Sequence, residues 1–95
     1  MNKFQVKKVD NCFKDSQTYE YKLEIIIDEN LINKLNELGE VEIKKFRRPI
    51  FMINCKNENK IKGVINSNII RVSFPDNMWQ YRKEEFEKYL DKILN

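Results

Sequence analysis

Histidine and alanine are both missing from this 95-residue chain, and glycine, proline and cysteine occur only twice each. Each shortage excludes something. Without histidine no side chain ordinarily titrates near neutral pH, so a nucleophile of the Ser/His or Cys/His kind cannot be built. Gly39 and Gly63 cannot together supply a G-x-x-x-x-G-K or G-x-G-x-x-G phosphate loop. Cys12 and Cys55 lie in no C-x-x-C pattern and read as reduced thiols, buried rather than reactive. A zinc site would need both cysteines and two carboxylates, an uncommon donor set, so neither a metal nor another cofactor is expected. No apolar run approaches the roughly 20 residues of a membrane helix, and the start MNKFQVKKVD lacks the apolar stretch of a signal peptide. The expectation is a cytoplasmic chain with no membrane partner.

Carboxylates are plentiful, but their arrangement does not point to catalysis. Glu20 and Glu24 share one strand face with Lys22 between them, the pattern of a solvated outer surface rather than an acid–base dyad. Glu84 and Glu85 are sequence neighbours on a helix. An enzyme is therefore not expected.

What the chain does have is an uneven charge. Residues 41–75 carry eight basic side chains against Glu42 and Glu58, a local excess of +6, while the segments on either side are weakly acidic. Such an excess raises the positive potential over one surface and favours an anionic partner. Part of it has a mundane origin, because fourteen Lys, twelve Ile and twelve Asn with no Ala is the skew that A/T-rich codons produce. Codon bias does not explain why Glu is nearly absent from that stretch.

Strand and helix periods divide the chain into eight elements. Lys3–Val9 reads as a first strand, with Phe4 and Val6 on one side and Gln5 and Lys7 on the other. Tyr19–Ile27 alternates strictly, placing Tyr19, Tyr21, Leu23, Ile25 and Ile27 on a buried face. Asp28 is placed to cap a helix carrying Leu31, Leu35 and Leu38, and Gly39 is expected to end it in a left-handed conformation. Four short strands follow over Glu40–Phe46, Ile50–Cys55, Lys60–Ile65 and Asn68–Phe74. They are separated by Pro49, by a KNEN turn and by an Asn66–Ser67 turn. Ile50–Ile53 is apolar at every position, which predicts a central strand or one covered on both faces. Asn77 and Gln80 have capping-box spacing before a last helix over Met78–Leu94, whose stripe is Trp79, Phe86, Tyr89, Leu90 and Ile93. Leu23, Ile25, Leu35, Ile53, Phe86 and Leu90 are the expected core.

These elements make a single α+β domain over residues 1–95, with a mostly antiparallel sheet of five or six strands and two helices on one face. The order is β-β-α-β-β-β-β-α. Without its first strand, that order resembles each half of the TATA-box-binding proteins, a likeness of element order alone. A ferredoxin-like arrangement is the alternative if two of the short strands fail to form.

The functional expectation is a non-enzymatic binding module acting through protein–protein contact or self-association, with nucleic acid as the alternative partner. The candidate surface is Lys44, Arg47, Arg48, Lys60, Lys62 and Arg71. Stacking on nucleic acid would need exposed rings, for which Phe46 and Phe51 are the candidates, although both read better as buried. Met78, Trp79, Tyr81 and Arg82 are residue types enriched at binding hot spots. Trp79 is expected to cover the sheet, leaving Met78 or Tyr81 exposed.

Overall fold

The computed structural model describes residues 4–9, 16–45, 47–56, 58–75 and 78–94. Six strands form one sheet: β1 Phe4–Val9, β2 Ser16–Leu23, β3 Gly39–Lys44, β4 Ile50–Cys55, β5 Lys60–Val64 and β6 Ile69–Pro75. Helix α1 (Glu29–Leu35), continued by one 3₁₀ turn over Asn36–Leu38, joins β2 to β3, and α2 (Trp79–Leu94) ends the chain. The spatial order is β1-β2-β6-β5-β4-β3, with every neighbouring pair antiparallel. All four short strands are present, so the ferredoxin-like alternative does not apply.

The alternation read from the sequence sets the two faces. Tyr19, Tyr21 and Leu23 of β2 point inward, as do Phe51 and Ile53 of β4, Ile61 of β5, and Ile70, Val72 and Phe74 of β6. They join Leu31, Ile32 and Leu35 of α1 and Phe86 and Leu90 of α2 in one cluster, so both helices cover the same side. Aromatic rings link the layers. Phe4 meets Tyr21 at 5.6 Å between centroids, Tyr21 meets Phe86 at 5.3 Å, and Phe86 meets Phe74 at 5.9 Å. Phe74 then contacts Tyr19 at 6.2 Å, and Tyr19 stacks on Trp79 at 5.8 Å. Edge-on contacts at such distances add to the stabilisation from burial. Trp79 thus covers the sheet, while Met78 and Tyr81 are exposed. The Tyr21 hydroxyl, inside this layer, donates to Glu87 Oε2 at 2.9 Å, and Glu87 pairs with Lys83 at 2.6 Å.

Asp28 caps α1 as the sequence implies, its side chain accepting from the Leu31 N–H at 2.9 Å. Four details depart from expectation. β2 stops at Leu23, and Ile25 is 44% exposed rather than core. The reason lies in its neighbour: β6 begins at Ile69, so beyond Lys22 the partner is a turn, which receives Leu23 N–H on the Asn68 carbonyl and Ile27 N–H on the Ser67 carbonyl. That turn spans residues 65–68, not two residues, with Asn66 at φ 73.

Gly39 is extended (φ 168), not left-handed, and opens β3. It is needed there for space, since a Cβ would run into the Asn54 carbonyl oxygen and lie 2.7 Å from Cys55 Cα. β4 lies beside the edge strand rather than at the centre, and only Phe51 and Ile53 of its apolar run are fully buried. The capping box at Asn77, the start at Lys3, Phe46 and Cys12 lie outside the described residues.

Two substitutions test this packing. Phe86→Ala should cost about 3–5 kcal/mol, because Phe86 touches both Tyr21 and Phe74. Gly39→Ala should cost roughly 1–3 kcal/mol through forced separation of β3 from β4. Urea denaturation followed by circular dichroism reads both. A Gly39→Ala midpoint equal to that of the parent would contradict the close backbone approach.

Candidate interaction surface

The sheet face opposite the helices is uncovered among the described residues, and strand register decides what stands on it. One row across the strands runs Lys7, Glu20, Arg71, Lys62, Met52 and Glu42. The row towards the β5–β6 turn begins Gln5, Lys22, Ile69 and ends Val64, Ile50, Lys44. On the other side lie Val9, Thr18, Ser73, Lys60, Asn54 and Glu40, where the Thr18 and Ser73 hydroxyls are 3.0 Å apart.

A shallow depression of about 430 Å³ lies in this face. Ile50, Val64 and Ile69 line it together with Arg48, Lys62 and Arg71. Apolar side chains here are only partly covered: Ile50 and Val64 are half-buried and Ile69 is 37% exposed. Glu20 also reaches the depression and holds Arg71 Nε at 3.3 Å. Arg71 is 59% exposed in this pair, so the contact adds little stability. Its effect is to interrupt the positive field.

Each of the six basic residues singled out from the sequence is exposed, but they do not form one group. Arg48, Lys62 and Arg71 converge on the depression. Lys44 stands opposite Ile50, and Lys60 stands between Ser73 and Asn54 in the far row. Arg47 is exposed in the β3–β4 connection and does not line the depression. The sequence reading missed two contributors. Lys22 and Lys7 come from outside residues 41–75, carried in because β2 inserts beside β6. The apolar trio Ile50, Val64 and Ile69 was hinted at only by the unbroken run at Ile50–Ile53, which suggested two-sided cover instead.

No aromatic side chain stands on this face among the described residues, and Phe51 is fully buried beneath it. No group of three or more Cys, Asp or Glu side chains able to hold a metal occurs among the described residues. No helix there is long and apolar enough to cross a membrane.

Cys55 points to the helix side, half-buried, and desolvation pushes its thiol up to about 11. Burial also raises the Tyr21 hydroxyl, with the Glu87 carboxylate adding to the effect. The Tyr89 hydroxyl is raised by burial and then by Glu37; it donates to the Lys34 carbonyl at 2.7 Å. All three groups are held neutral more firmly folded than unfolded. Their contribution to stability is whole below their unfolded values and is lost as pH climbs through the folded ones. The urea midpoint should therefore begin to fall near pH 9, where the unfolded Cys55 thiol ionises, and keep falling beyond pH 10 as the unfolded tyrosines ionise. Cys55 should alkylate slowly in the native protein at pH 8, counted separately from Cys12 by peptide mapping; modification at the rate of a small free thiol would contradict its burial. No family model, curated protein or solved structure matches this chain.

Proposed function

We propose that this protein is a non-enzymatic protein-binding module whose open sheet face receives an acidic, partly apolar segment of a partner protein. One observation carries the reading: an apolar centre of Ile50, Val64 and Ile69 bordered by Arg48, Lys62 and Arg71. Apolar centre with charged rim is the anatomy of a protein interface, where desolvated side chains supply affinity and the rim supplies orientation. In this arrangement the partner's apolar side chains sit over Ile50, Val64 and Ile69, and its carboxylates reach the three cations. Arg48 and Arg71 suit planar carboxylates best, since guanidinium presents paired donors.

A nucleic-acid partner is less well served by the same surface. Single strands are held by phosphate contacts together with rings on which bases stack, and the described face has no ring. Glu20, Glu40 and Glu42 stand among its cations, where they would oppose a phosphate backbone.

The test compares two probes by NMR titration of the labelled chain: amphipathic peptides rich in Asp, Glu and Leu, and oligonucleotides of single and double strand. Peptide binding should shift the amides of Ile50, Val64, Ile69 and Arg71. Replacing Arg48, Lys62 and Arg71 with Glu should weaken it about tenfold or more. Ile69→Ser should weaken it by a factor that does not change with salt. Oligonucleotide binding should fade near 0.15 M salt, as a generic basic surface does. Oligonucleotides retained at that salt through the same arginines, with peptides inert, would replace this reading by the nucleic-acid one.

A further inference from the structure

The edge strand β3 is incompletely covered on the helix side. Val41 is half-buried, but Ile43 on the same side is 48% exposed. It opens onto a cleft of about 560 Å³ between α1 and the β3–β4 connection, lined by Ile32, Ile43, Pro49 and Ile65 with Lys45. No described strand lies beyond β3. An edge of this kind presents backbone N–H and C=O groups as a template for another strand, unless its side chains repel one.

The side chains of β3 do not repel a copy of themselves. Glu40, Glu42 and Lys44 alternate along its open face, all exposed. Glu42 and Lys44 belong to neither the Arg71–Glu20 nor the Lys83–Glu87 ion pair, and both are exposed on the edge strand. We propose that β3 pairs antiparallel with β3 of a second copy, about a two-fold axis through Ile43. Directly opposed residues in an antiparallel pair share a face, so Ile43 meets Ile43 on the helix side. On the open side Glu42 of each copy meets Lys44 of the other, giving two unlike pairs.

Other registers are worse. An axis at Glu42 would add two Glu40–Lys44 pairs and set Val41 against Ile43, but it forces the two Glu42 carboxylates directly against each other at its centre. One at Val41 sets Glu40 against Glu42 twice. Self-pairing of the other edge, β1, would gather Lys7 and Lys8 from both copies with no acidic residue in the strand. The two-fold contact closes on itself, whereas β1 on β3 would propagate into a filament. One continuous sheet across two copies would also set two open faces side by side. The contact is short, since only Glu42, Ile43 and Lys44 of each strand have a β3 residue opposite in this register, so association is expected in the micromolar-to-millimolar range typical of small interfaces.

Sedimentation of the full chain across that range tests the pairing, with thermal melts confirming that each variant is folded. The parent should pass from monomer to dimer and no further. Glu42→Lys alone and Lys44→Glu alone should each raise the dissociation constant about tenfold, because each opposes like charges twice. The double exchange Glu42→Lys with Lys44→Glu should return it to within about threefold of the parent. A parent that stays monomeric, single variants that associate as before, a double exchange that fails to restore pairing, or a mass that climbs past the dimer would each overturn the proposal. The partner reading survives any of these outcomes, since Arg48, Lys62 and Arg71 contribute nothing to the β3 edge pairing.

Discussion

The chain of ring contacts from Phe4 through Tyr21, Phe86, Phe74 and Tyr19 to Trp79 is the constraint on which the other features rest. It ties β1, β2 and β6 to α2, and so commits the last helix to one side of the sheet. Helix α1 packs onto the same side through Leu31, Ile32 and Leu35. With both helices there, the outward residues of every strand face away from the helical layer. The hydroxyl of Tyr21 needs a partner inside this layer, and Glu87 provides it while pairing with Lys83. Lys83 in turn lies 4.9 Å from the centroid of the Tyr19 ring, so polar groups at the layer's rim are held by the same rings.

The path of the chain explains how the candidate surface is assembled. From β2 the chain crosses through α1 to the far edge at β3, then returns strand by strand until β6 lies against β2. This return brings Arg71 of β6 beside both Glu20 of β2 and Lys62 of β5. It also sets Ile69 near Val64 and Ile50, so outward apolar residues from three strands share one depression. The same route leaves β3 as an edge, with Ile43 only partly covered where it faces α1 across a cleft. Open face and open edge are thus two consequences of one topology, and they suit different contacts: side-chain recognition on the face, backbone pairing at the edge.

Much of the fold was legible because its signals are local. Alternation in Tyr19–Leu23 and in Ile69–Phe74 assigns each side chain to a face, since successive residues of a strand point to opposite sides. Asp28 announces α1 because a carboxylate there satisfies a backbone N–H that the helix leaves unpaired. Failures came where a neighbour distant in sequence intervenes. Ile25 continues the alternation but lies past the end of its partner strand. Gly39 reads as a helix terminator but is required by the approach of Asn54 and Cys55 across the sheet.

By itself the sequence determined the element types, the inward and outward parity of β1 and β2, and the concentration of basic residues in the middle of the chain. Those follow from local sterics and from composition. Only the tertiary structure decided which cations stand together, that Glu20 interrupts them, and that Ile50, Val64 and Ile69 share a depression on the face the helices leave bare. Strand neighbours and helix placement are set by long-range packing of the aromatic layer, and a linear charge count carries no information about which residues that packing brings side by side.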